Sequence, residues 1–313
     1  MLGKTAGGLF WMFRYLERSD NVGRLIDAGL NIALTPSADS DDVWQSVLAT
    51  AGALETYRQR HDSLDPAQVV NFLLREPDHA YSVMSMIEQA RNNARMVRTA
   101  LTREVWEAMN QSWIELGTVL QRPVKERDIQ HVLELIRGQS ALVHGSLHGT
   151  MLRNDTFAFT RLGTSIERAG STARILDVKY YVLLPSAFHV GSPLDNVQWE
   201  VILRSVSARQ SYLWLKQGDI QPSGIIDFLL FDRRMPRSIA FCVDRVRSSL
   251  GYLADDYGRR MPCHDLIDKL TAEIDGASVD SVINHGLHEF LMDFTSLNSA
   301  LGFQIEKDYR FYA

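Results

Sequence analysis

A pattern of four charged residues within twelve near the start of the chain recurs 150 residues later. Leu16-Glu17-Arg18-Ser19-Asp20-Asn21-Val22-Gly23-Arg24-Leu25-Ile26-Asp27 stands over Ile166-Glu167-Arg168-Ala169-Gly170-Ser171-Thr172-Ala173-Arg174-Ile175-Leu176-Asp177. Both copies read Glu-Arg-x5-Arg-x2-Asp, and the apolar positions match in kind. The match continues downstream: Trp44 falls on Trp199, Ala53 and Tyr57 on Ala208 and Tyr212, Val69 to Leu74 on Ile225 to Leu230, and Ser82, Val83, Ile87 and Arg91 on Ser238, Ile239, Val243 and Arg247. The offset drifts from 150 to 155 and then 156, as short loop insertions produce. One such match between two amphipathic helices is unremarkable; all of them in order point to a duplicated unit, and a fused pair packs most simply about a pseudo-two-fold axis.

The unit is helical. Apolar residues recur at i, i+3, i+4 and i+7, and no alternating strand pattern with an Asn-Gly or Asp-Gly turn occurs. The nine prolines punctuate these runs, since proline costs about 3 kcal/mol inside a helix and suits its first turn. The spacing predicts helices near 5–33, 40–60, 66–75, 79–121, 126–149, 155–184, 194–217, 222–231, 237–258, 263–274 and 278–305, with an aromatic tail at 306–313 docking as an extended segment. The expected architecture is all-α, an internally duplicated helical bundle of two similar halves. Residues 1–120 form the first repeat, 121–150 a connecting helix, 151–262 the second repeat, and 263–313 the C-terminal helices and tail.

On a helix Glu17, Arg24 and Asp27 share one stripe with Asp20 beside them, while Trp11, Tyr15, Val22, Leu25 and Ile26 centre on the other side. Arg18 and Arg168 fall at the edge of the apolar face and need carboxylate partners, because an unpaired buried charge is costly. Two readings of Glu17, Arg18, Arg24, Asp27, Glu167, Arg168, Arg174 and Asp177 stand side by side. One is an ion network fixing helix register, drawing also on Arg91, Arg95, Arg98 or Arg247. The other is a site for a phosphate, a carboxylate or a peptide terminus, which arginine forks recognise.

Other chemistry is sparse. His144 and His148 have the i, i+4 spacing of metal ligands, but two glycines suggest the helix ends there, and no metal site is expected. His285 and His288, followed by Glu289, read as surface or satisfied core histidines, and Trp44, Trp199, Phe72 and Phe228 as core. Cys242 lies in an apolar run; Cys263 precedes His264, but adjacent residues on a helix point apart. Two cysteines make no disulfide framework, and no dinucleotide, phosphate-loop, nucleophile-elbow or zincin motif is present, so no cofactor is expected. A net charge of −5 gives no electrostatic reason for nucleic acid or an anionic membrane, no apolar run is long enough to cross a bilayer, and the start of the chain is not a convincing signal peptide. The expected compartment is reducing cytoplasm.

Four segments together resemble the bacterial alpha-E family: the repeated Glu-Arg pattern, the opening Trp11-Met12-x-Arg14-Tyr15-Leu16-Glu17-Arg18, the run Gly149-Thr150-Met151-Leu152-Arg153-Asn154-Asp155, and Phe228-Leu229-Leu230-Phe231-Asp232 with Pro236-Arg237-Ser238. The resemblance spans essentially the whole chain and implies a helical fold. It places the signature on Glu17-Arg18 and Glu167-Arg168, with Arg24, Asp27, Arg174 and Asp177 as companions. The second copy departs from the first in having Gly170 where the first has Asp20, which sets an equal role for the two sites in question. Members of the family are typically encoded beside circularly permuted ATP-grasp proteins and transglutaminase-like cysteine peptidases. The resemblance therefore implies a part in making, modifying or trimming a peptide or amide. The expected role is a helical partner or scaffold for the ATP-grasp protein, with a peptide or small anion as ligand, and with association into homo-oligomers left open. The alternative is an enzyme of amide chemistry using Glu17 or Glu167 as acid and base with arginine clamps.

Overall fold

The computed structural model describes residues 1–34, 39–182, 193–216 and 220–312. Among them the structure is all-helical, with no strand. The helices are α1 (Gly3–Ala33), α2 (Ser40–Thr50), α3 (Leu54–Arg58), α4 (Pro66–Arg75), α5 (Val83–Met96), α6 (Arg103–Leu120), α7 (Ile129–Thr150), α8 (Asp155–Val182), α9 (Pro193–Ser205), α10 (Arg209–Lys216), α11 (Pro222–Phe231), α12 (Ile239–Tyr257), α13 (Pro262–Gly276), α14 (Val279–His285) and α15 (Leu287–Asp308).

Local chemistry sets many of the boundaries. Pro66, Pro222 and Pro262 occupy first-turn positions, where a missing N–H costs nothing. Ser82 and Ser238 each accept from a backbone N–H of the first turn and so start α5 and α12 in the same way. Three of the longer helices expected from periodicity are divided. Gly52, at φ +70°, separates α2 from α3; Ser207, at φ +55°, lies between α9 and α10; and Gly286, at φ +109°, separates α14 from α15. A left-handed residue ends a right-handed helix even where the apolar spacing continues through it. The long helix expected over 79–121 is likewise two, α5 and α6, interrupted at Val97 to Thr102.

The two longest helices, α1 and α8, lie against each other at the centre. Around them α1 packs on α5, α7 and α9, and α8 packs on α12, α15 and α2. The two central helices run in the same direction: Phe10 meets Gly163, and Leu25 and Ile175 share one small apolar pocket further along. Gly163 permits the close approach, because a Cβ there would overlap the Phe10 carbonyl. Trp44, Trp199, Tyr57, Tyr212, Phe72 and Phe228 are all buried, within a core that runs from Ala6 to Phe311.

The aromatic tail is not extended. Helix α15 continues through Asp308 and closes in a turn with Arg310 at φ +55°. Phe311 then lies 5.3 Å from Phe10, and Tyr309 lies 5.0 Å from Phe159, ring centroid to centroid. The turn lets both rings cover the start of the central pair, burial that an extended tail would forgo.

Candidate functional site

The two Glu-Arg motifs meet where α1 and α8 touch, and each arginine closes on the other motif's glutamate. Arg18 donates to Glu167 through Nε and Nη2, both at 2.8 Å. Arg168 donates to Glu17 through Nε at 2.9 Å and Nη2 at 2.7 Å. Both pairs are bidentate forks, the strongest geometry available to an arginine and a carboxylate. The glutamates lie deeper than the arginines: Glu17 is 0% and Glu167 2% exposed. The charged stripe on α1 is therefore not a solvated face, since α8 and its neighbours cover it.

Further side chains complete each cluster. Glu17 also accepts from Arg237 at 2.8 Å, and His144 Nε2 stands 3.5 Å away. Arg237 bridges to Asp20 at 2.8 Å, and Asp20 accepts from Arg24 at 2.8 Å. Arg24 reaches on to the Ser205 carbonyl and the Ser207 hydroxyl. On the other side, Glu167 accepts from Arg14 at 3.1 Å and from Arg174 at 3.3 Å. Asp27 pairs with Arg137 at 3.2 Å, and Asp177 with His288 at 2.7 Å.

The partners expected on other helices are not the ones found. Arg91 bonds Asn110 and covers Trp113, Arg98 lies over Trp106, and Arg247 faces Asp268. The arginines outside the pattern that reach the motifs are Arg14 on α1, Arg137 on α7 and Arg237 just before α12. Spacing within one helix cannot reveal a partner from another.

Burial alone would raise the carboxyl pKa values of both glutamates, but the guanidiniums outweigh it. Arg168 and Arg237 hold Glu17 well below the usual carboxylate range, and Arg18 and Arg14 do the same for Glu167. Both stay ionised at neutral pH. A carboxylate so stabilised is a poor general base and does not supply a proton, so this geometry does not favour Glu17 or Glu167 as acid and base.

The two clusters differ where the sequence differs. A Cβ on Gly170 would come within 3.3 Å of Asn298 Nδ2 and Arg174 Nη1. Asn298, which donates to the Ile166 carbonyl, fills the space that a side chain at position 170 would need. The first cluster borders a cavity.

That cavity, of about 830 Å³, lies between α7, α8 and α12 with the Asp20 and Arg24 turn of α1 at its edge. Among the described residues, seven arginines line it against a single acidic residue, Asp20. Four of them are neutralised: Arg168 by Glu17, Arg237 by Glu17 and Asp20, Arg24 by Asp20, and Arg137 by Asp27. Among the described residues Arg153, Arg161 and Arg245 meet no carboxylate. Arg161 is half-buried, and its Nη2 is shut from solvent without a hydrogen-bond partner. Burial, then repulsion from Arg245 and Arg153, pulls its pKa below the ordinary arginine value. Arg153 and Arg245 lie over Phe157 and Phe241 at 3.9 and 5.0 Å, which orients their forks in advance.

The weaker sequence candidates resolve into structure. Helix α7 runs on past Gly145 and ends at Thr150, with His148 in its last turn as the glycines suggest, and both His144 and His148 line the cavity. No group of three His, Cys, Asp or Glu residues suited to a metal is present among the described residues. Gly286 divides His285 from His288, so they do not share a helix. Cys263 Sγ lies 3.6 Å from His264 Nδ1, yet that nitrogen accepts from the Met261 backbone N–H, Nε2 faces the Leu250 carbonyl, and burial pushes the thiol far up, which leaves no nucleophile.

Comparison with known proteins identifies the family. A family model named Alpha-E, described as a predicted alpha-helical domain with a conserved ER motif, matches residues 1–310. The chain belongs to the Alpha-E family. Uncharacterised proteins of Mycobacterium bovis and Mycobacterium tuberculosis are each 21% identical over 289 residues, 87% of this chain and 32% of the relative. The chain thus spans about a third of the length of these relatives. No solved structure matches. No described helix is long and apolar enough to cross a membrane.

Proposed function

We propose that this chain is a helical binding module, in which the crossed Glu-Arg pairs hold the frame and the arginine-lined cavity beside them takes an anionic ligand. The observation that carries this reading is Arg161. A half-buried guanidinium with a sequestered, unpartnered N–H and two cationic neighbours is unfavourable in isolation, and an anion relieves it. The two halves are read as copies of one unit related by a pseudo-two-fold. The recurring sequence supports this, as do the reciprocal ion pairs and the matched packing of α1 and α8.

The module serves a partner rather than acting alone. The family resemblance implies an ATP-grasp protein and a peptidase as neighbours, and the longer relatives carry this region joined to further chain. Cytoplasmic location follows from that setting.

Titration calorimetry with pyrophosphate and citrate tests the cavity. The wild-type chain binds at least one of them, and Arg161→Gln weakens it about tenfold or more. Equal binding by both chains refutes the site. Coelution with the ATP-grasp protein at tens of micromolar tests the partner, and separate elution ends that part of the reading.

A further inference from the structure

The two ends of the cavity differ in chemistry. Arg161 and Arg168 are seven residues apart on α8, about 10 Å of helix. Arg237 and Arg245, before and within α12, are separated by a similar rise. At the Arg161 and Arg245 end, with Arg153, three guanidiniums meet no carboxylate among the described residues. At the Arg168 and Arg237 end the guanidiniums are already neutralised by Glu17 and Asp20. The second end offers an acceptor instead. Asp20 is 2% exposed and lines the cavity; its Oδ2 is used by Arg24 and Arg237, and its Oδ1 is buried with no partner. An ionised carboxylate oxygen only accepts hydrogen bonds, so a donor belongs there.

Charge decides which anion suits the first end. One carboxylate brings a single charge to three guanidiniums. A phosphate monoester brings about −1.5 to −2 near neutral pH, with three strong acceptor oxygens. We infer that the cavity takes an elongated phosphate monoester, with its phosphate among Arg153, Arg161 and Arg245 and a hydroxyl-bearing far end donating to Asp20. The inference rests on the anion-site reading above and adds the charge of the bound group and the donor it carries. Sugar phosphates and nucleoside monophosphates share this chemistry.

Calorimetry with inorganic phosphate, glucose 6-phosphate and adenosine monophosphate tests it, using wild-type chain, Arg161→Gln, Arg245→Gln and Asp20→Asn. Arg245 is exposed, so its loss leaves the fold intact even if Arg161→Gln disturbs it. Asp20→Asn keeps an acceptor for Arg24 and Arg237 and turns a donor towards the cavity. At least one ester binds wild-type chain about tenfold tighter than inorganic phosphate; Asp20→Asn abolishes that preference, and both arginine variants weaken every phosphate probe about tenfold. The two esters separate a sugar from a nucleotide ligand. If phosphate and esters bind alike and Asp20→Asn changes nothing, the far-end donor is wrong while the anion site stands. If citrate binds and no phosphate does, the phosphate assignment is overturned. If no anion binds, the inference falls together with the reading beneath it.

Discussion

Replacing Glu17 by Gln separates the crossed ion pairs from decoration. Glu17 accepts from Arg168 twice and from Arg237 once, and none of its surface reaches solvent. The substitution removes one charge and sets an amide N–H₂ against a guanidinium. Arg237 keeps Asp20, but Arg168 loses the only carboxylate it pairs with among the described residues. Removing one member of a buried pair costs about 3–5 kcal/mol, and the 19% exposure of the Arg168 side chain places this case near the lower end, about 3 kcal/mol. With a urea dependence of about 3 kcal/mol per molar, the unfolding midpoint falls by about 1 M. Converting Arg168 to Met in the same chain recovers part of the loss, because it removes the buried charge that Glu17→Gln leaves unpaired. Urea titrations of the two single variants and the double give the coupling directly. A midpoint change below about 0.3 M in both Glu17→Gln and Glu167→Gln would refute the reasoning and class these pairs with exposed ones.

The same carboxylates make the chain acid-labile: their folded pKa values lie below the ordinary 4.5, so the unfolded chain binds protons more readily, and stability is full above about pH 4.5 and lost progressively below it, as pH-dependent urea midpoints will show. Gly163→Ala puts a methyl group into the Phe10 backbone and forces α1 from α8, a loss of about 1–3 kcal/mol in the same assay. Arg161→Met removes an uncompensated charge and raises the melting temperature of the ligand-free chain by about 2 °C while weakening anion binding. Both thiols are buried, and that of Cys242 is pushed up to about 12, so neither reacts with a thiol reagent at pH 8 until the chain is unfolded.

The helical character and most helix starts were legible, because apolar spacing and first-turn prolines are local signals. The breaks at Gly52, Ser207 and Gly286 were not, since periodicity records which face is buried and not where φ turns positive. The motif was legible as a charged stripe, but its pairing was not. Arg18 finds Glu167 rather than a residue of its own helix, and only the approach of α1 to α8 decides that. The cavity left a fainter trace. Arg161 stands 150 residues after Trp11, a charge at the position where the first copy has an aromatic ring, amid Phe157, Phe159 and Leu162.

The crossing of the two forks has a consequence for fragments of the chain. Cut within the loop before α8, neither piece carries a complete set of countercharges: one keeps Glu17 with Arg18, the other Glu167 with Arg168, and each fork waits for the other piece. Each piece alone would therefore strand its motif, and the two mixed together would reassemble by mutual complementation. A lone first piece could satisfy its glutamate only by pairing with another copy of itself, Arg18 to Glu17 across a two-fold. The arrangement is that of a handshake, which a single hand cannot perform.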